Sequence, residues 1–367
     1  MDRKQKIVRT GYVGILVNIV IASVKAVVGV ISGSMAFVVE AVNNITDAVS
    51  SVLTVIAARL AGRPADDKHP FGFGRIEYFA AIIISVLIIV TGVSSFVESV
   101  KGIIHPATQE YSTVGLVLVA VALVIKLGLG LYTRRQGESL HSDALRASAS
   151  ECLMDCILSV ATIASAIITV TTGVSLDSWL AAILSLLIVK VGVEMLLSPV
   201  NDLLGRRNDQ TLVKELKARV KTIDGVLGVY DVVLHDYGPE YKIGSLHVEV
   251  GESMSASDMH HLTRAVQTLV RHEFGFFVTV GFYAHNAEGT PEAEAEKAVR
   301  EHVTALDGVL GMHGFYMDPD LKVLSMDIVY SFKMKKPSEL RAEVCRWLEK
   351  SYPCYECLVG MDINYSE

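Results

Sequence analysis

Apolar residues run almost unbroken through six stretches of this 367-residue chain, at about 11–32, 36–60, 77–100, 113–133, 144–171 and 177–198. As a helix, each is long enough for the roughly 30 Å hydrocarbon layer of a bilayer, which takes about 20 residues. Backbone groups in hydrocarbon must satisfy one another, so the pattern predicts six transmembrane helices in a domain spanning residues 1–204. Basic residues cluster on alternate connections. Arg3, Lys4, Lys6 and Arg9 precede the first stretch; Arg59, Arg63, Lys68 and Arg75 border the second loop; Arg134, Arg135 and Arg146 border the fourth; Arg206 and Arg207 follow the sixth. The opposite loops hold almost nothing basic beyond Lys101, which predicts both termini, and all that follows Asn201, on the cytoplasmic side. The basic segment Met1–Thr10 leads into apolar sequence without a small-residue cleavage site, so a retained first span is expected rather than a signal peptide.

After Gly205 the pattern changes to short amphipathic units, and a repeat emerges: Asp224-Gly225-Val226-Leu227-Gly228 returns as Asp307-Gly308-Val309-Leu310-Gly311. Apolar positions of helical spacing precede each copy, at Leu216, Val220 and Ile223 and again at Val299, Val303 and Leu306. Two alternating strands follow each copy, then a helix and a last strand. The prediction is two tandem α+β, ferredoxin-like αββαβ modules, residues 205–287 and 288–367, joined through the Glu/Ala-rich stretch around Pro291.

Composition agrees with this division. At 51% hydrophobic and 20% charged residues, the chain is too apolar for an ordinary soluble protein and too charged to lie wholly in a membrane. A net charge of −7 without a basic block excludes nucleic acid as the expected partner. Five cysteines, an odd number without a disulfide framework, fit a reducing compartment. Cys354 and Cys357 form a lone CxxC, for which packing, zinc and redox use all stay open. Phe71-Gly72-Phe73-Gly74 lacks the third glycine and the preceding strand that nucleotide binding needs.

The candidate chemistry lies in the polar residues that interrupt the spans. Glu151 and Asp155 are four positions apart, so both carboxylates project from one helix face. Asn43 and Asp47 repeat the spacing in the second span, with Glu40 extending that face. An amide and three carboxylates offer the all-oxygen shell that a hard divalent ion accepts; salt bridges to basic residues of the bundle are the alternative. Lys25, Lys126, Lys190 and Glu194 also fall within spans, and a central lysine requires a carboxylate or a water-filled cavity. Cys152 and Cys156 each follow a carboxylate and are expected to pack rather than ligate. In the first module His235, His247, His260, His261 and His285 lack a fixed ligand spacing, and structural roles and a bound metal both remain open.

With these residues in view, the whole chain resembles the cation diffusion facilitator family, manganese-type branch. The resemblance rests on six spans, the i, i+4 polar pairs of spans two and five, the loop His69-Pro70-Phe71-Gly72-Phe73-Gly74-Arg75-Ile76-Glu77, the lead-in Ala144-Leu145-Arg146-Ala147 and an αββαβ domain. It implies a homodimeric secondary transporter, not an enzyme, that exports a divalent cation from the cytoplasm across the plasma membrane in exchange for protons by alternating access. It puts the metal site at Asn43, Asp47, Glu151 and Asp155 and implies no resident cofactor, the cation being cargo. Zinc-transporting relatives usually have histidine at the first position of one or both pairs; Asn43 and Glu151 stand there here, and oxygen donors favour manganese. A zinc, cadmium or iron exporter and a membrane metal sensor without transport are the alternatives. Phe73 replaces a loop histidine, which argues against a loop site with Asp66. The resemblance matches His235, His247, His260 and His285 to ligand positions of the family's cytoplasmic domain, with Ala287 where a bridging Asp is expected, while the second module is additional to the common single-domain plan.

Overall fold

A computed structural model describes residues 2–32, 35–105, 113–172, 177–206, 209–238 and 241–363. The chain divides into two compact units, the long helices forming one and the tandem sheets the other.

The first unit holds α1 (Arg3–Ser32), α2 (Met35–Ala61), α3 (Ile76–Ile104), α4 (Thr113–Ser139), α5 (Asp143–Thr172) and α6 (Asp177–Leu204). All six contain windows long and apolar enough to cross a membrane. Packing is most extensive between α1 and α2, α3 and α6, and α4 and α5. The core between helices is built from small residues, Ala57, Ala80, Ala144 and Ala147, with Ile84, Ile88 and Ile188 between them. Small side chains permit close helix approach where lipid supplies no hydrophobic drive. Large apolar side chains point outward instead, among them Leu16, Val30, Ile31, Val124 and Ile183. That arrangement suits hydrocarbon and is a liability in water.

α1 begins well before its apolar run, because its polar first turn has a docking partner. The Arg3 guanidinium donates to both carboxylate oxygens of Glu77 at 3.1 Å and, through Nε, to the carbonyl of Leu140 at 2.7 Å. Glu77 is 2% exposed. One side chain thus ties the starts of α1 and α3 to the turn between α4 and α5.

The second unit contains two αββαβ modules. In the first, α7 (Gln210–Val220) and α8 (Ala256–Glu273) accompany the sheet β1 (Gly228–Asp236), β2 (Lys242–Gly251), β3 (Phe277–His285), in that order, with β2 and β3 parallel. In the second, α9 (Pro291–Thr304) and α10 (Pro337–Ser351) accompany β4 (Val309–Asp318), β5 (Val323–Tyr330) and β6 (Glu356–Ile363). There β4 pairs antiparallel and β6 parallel with β5. Helices cover one face of each sheet. Leu246, Val248 and Val250 of β2 meet Leu216, Val220, Val266 and Val270, whereas Leu324, Met326 and Ile328 of β5 meet Val299, Val303, Val344 and Leu348. The strand period of two turns His247 and Asp327 to the opposite faces. The repeated glycine of the Asp-Gly-Val-Leu-Gly motif has a structural cause: Gly225 and Gly308 adopt φ of 87° and 81°, a region costly to side chains with a Cβ.

Candidate metal centre

α2, α5 and α4 bring three of the four sequence-predicted residues into one cluster, in which Asp47 is buried and Glu151 and Asp155 are partly buried. Asp47 on α2 is 8% exposed, and Lys126 on α4 is 7% exposed. The Lys126 ammonium lies 2.7 Å from Asp47 Oδ2 and 2.5 Å from Asp155 Oδ2, so it bridges the carboxylates of two helices. Glu151, one turn before Asp155 on α5, accepts a hydrogen bond of 3.0 Å from Ser50 Oγ of α2. With every carboxylate ionised, three negative charges would face one ammonium, and the remaining two match a divalent cation. Among the described residues, these carboxylates do not form a group whose ligand atoms all lie within 4.8 Å of one another. For an ion to be held by these oxygens, the ammonium would have to withdraw and the oxygens to close in.

Asn43 lies one turn from Asp47 but is exposed, while the neighbouring Asn44 is buried. The Asn44 amide donates to the Glu40 carbonyl at 2.7 Å, and its Oδ1 is buried without a partner. The lysines of the spans each have an acidic neighbour: Lys25 lies 2.8 Å from Glu40, Lys126 has its two aspartates, and exposed Lys190 stands 3.8 Å from Glu194. Cys152 and Cys156 are buried, and Cys156 Sγ is 3.9 Å from the Leu123 carbonyl. Sequence reasoning flagged Lys126 without naming its partners. It missed Ser50, whose signal was its place three residues after Asp47, on the same helix face.

The histidines of the first module do not assemble into a comparable cluster. His235, His260, His261 and His285 are exposed, and His285 Nδ1 lies 3.2 Å from Glu249 Oε1. His247 is half-buried beside Asp231. Cys354 is exposed, Cys357 is partly buried, and both are free thiols.

Comparison with known proteins adds two matches. Residues 11–204 match the cation efflux transmembrane domain, and residues 209–281 match the cytoplasmic domain of cation efflux proteins. An uncharacterised transporter of Methanocaldococcus jannaschii is 25% identical over 250 residues, 68% of this chain and 88% of its own length. The manganese efflux system proteins MneP and MneS of Bacillus subtilis are 23% and 25% identical over 281 residues, in each case 74% of this chain and 94% of theirs.

Proposed function

Since this chain belongs to the cation efflux family, we propose that it exports a divalent cation, manganese before others, in exchange for protons. The observation that carries this reading is the Lys126 ammonium held between Asp47 and Asp155, a positive charge already chelated by carboxylates of two helices. Asp47, Glu151 and Asp155 supply the charged oxygens, while Asn43, one turn from Asp47 but exposed outside their cluster, would have to turn inward to add a fourth donor. Oxygen donors without imidazole suit Mn²⁺ better than softer ions, and the names of the Bacillus relatives favour the same metal. Ions and protons compete for the same oxygens, so protonation from the far side releases the metal. Rocking of the helices about this midplane site would expose it to each side in turn. The asymmetry of basic residues supports termini in the cytoplasm, and the family supports a homodimer in the plasma membrane.

Purified protein in liposomes, with a manganese indicator and a pH indicator on opposite sides, tests the reading. Wild type is expected to move Mn²⁺ with an opposing proton flux. Asp47→Ala and Asp155→Ala, each removing a charged donor rather than core volume, are expected to abolish both fluxes in folded protein. Undiminished manganese flux in either variant would remove this site, and manganese flux without proton flux would remove the antiport.

A further inference from the structure

The sheet faces that the helices leave uncovered carry polar side chains at matching positions of the two modules. His247 on β2 stands opposite Gly281 of β3, and Asp327 on β5 stands opposite Gly360 of β6. A Cβ on Gly281 would collide with the imidazole of His247, and one on Gly360 with the carboxylate of Asp327, so each glycine clears room for the polar group beside it. Asp231 on β1 adopts a φ of 51°, and Gly314 on β4 one of 62°. A Cβ on Gly314 would lie 3.0 Å from Tyr283 of the first module and 3.1 Å from Asp327 Oδ2 of the second, which marks where the modules meet.

Polar groups from both modules converge at this seam. His313 Nε2 of β4 lies 2.8 Å from Asp231 Oδ1 and 3.5 Å from Asp362 Oδ2 of β6. The Tyr283 hydroxyl donates to Asp231 Oδ2 at 2.6 Å, and His247 Nδ1 is 2.9 Å from the same oxygen. Ligand atoms of Asp231, His313 and Asp362 all lie within 4.8 Å of one another, the one such group among the described residues. Donors about 2.1 Å from a shared ion stand roughly 3–4 Å apart, so small movements would complete a coordination shell. Internal hydrogen bonding leaves the seam incompletely satisfied. His313 is 6% exposed, yet its Nδ1 is buried without a partner, and His247 Nδ1 approaches Asp231 outside hydrogen-bond geometry.

We propose that the seam between the tandem modules is a second divalent-cation site, held by Asp231 of the first module and by His313 and Asp362 of the second, with His247 and Asp327 flanking it. One imidazole with two carboxylates is a mixed nitrogen and oxygen set that first-row ions such as Mn²⁺ accept. An ion there links β1 to β4 and β6, so cation concentration bears directly on how the two modules are held together. Its ligands all lie beyond residue 230, outside the helices that carry the proposed transport site.

Mn²⁺ binding to the full-length protein in detergent, counted by equilibrium dialysis and examined by electron spin-echo spectroscopy, tests this. The proposed membrane site has no imidazole, so modulation from a directly bound nitrogen identifies the seam. Wild type is expected to bind two ions per chain, one with nitrogen coupling. Asp362→Asn and His313→Gln are expected to lose one ion and that coupling, whereas Asp155→Ala loses the other ion and keeps it. Absence of nitrogen coupling in wild type, or an unchanged ion count in both seam variants, would overturn the proposal. Wild type requires no substitution to give its answer, and loss of an ion on Asp155→Ala reports on the membrane site alone.

Discussion

At the level of single residues, Lys126 is the side chain whose placement changes the picture most. An ammonium within 3 Å of two carboxylates in a poorly polarisable setting is attracted to each by several kcal/mol, roughly 4 or more at an effective dielectric constant of about 20. An incoming cation must overcome that attraction, and a departing one is replaced by it. Lys126→Met is therefore expected to bind Mn²⁺ at least about tenfold more tightly, ~1.4 kcal/mol, while turning over more slowly. Dialysis and single-turnover efflux measure the two quantities separately; unchanged affinity would show that Lys126 does not compete with the ion. The carboxylates themselves were legible in the sequence, because charge inside an apolar run is costly and four-residue spacing fixes a shared face. Which lysine meets them was not, since α4 reaches Asp47 and Asp155 only through helix packing. Asp231 and His313 were less legible still: they lie 82 positions apart in two modules, and neither carries a local ligand motif.

At the level of elements, apolar length and the strand period sufficed to mark the six spans and the sheets, because both patterns follow directly from burial. Boundaries set by one polar contact escaped this reading. The run of apolar residues suggests that the first helix starts near residue 11, whereas α1 starts at Arg3, whose guanidinium grips Glu77. Removing one member of a buried pair leaves the other charge uncompensated, at a cost of about 3 kcal/mol. Arg3→Met is expected to lower the melting temperature of the detergent-solubilised protein, and Glu77→Gln in the same chain to recover most of the loss, because a neutral amide tolerates the buried position better. Equal melting of Arg3→Met and wild type would show that the contact contributes nothing. The repeated motif offers a parallel test. Gly308→Ala places a Cβ at a φ of 81° and is expected to destabilise the second module by about 1 kcal/mol, read by hydrogen exchange at Val299 and Ile328 against Val248 of the unaltered first module.

For the whole molecule, the second module poses the main question, because the Bacillus relatives match over 94% of their length while covering 74% of this chain. Each module closes its own apolar core: the residues packed around Leu216, Val248 and Val266 come from the first alone, and those around Val303, Met326 and Val344 from the second alone. What joins them at the seam is polar. Ending the chain after Ala287 would uncover Tyr230, His247 and Tyr283, a face with hydrogen-bonding groups in place, without opening the core behind Val248. The carboxylates proposed to carry the metal all lie on α2 and α5, and none of their partners comes from the removed segment. The shortened protein is therefore expected to remain soluble in detergent, to keep the oligomeric state of the full chain by light scattering, and to retain manganese transport. Ending instead before Phe277 removes β3 and with it Val278, a fully buried part of the first core, and is expected to unfold that module. Aggregation of the protein ending at Ala287 would show that the first module relies on the second for its stability, despite its separate core.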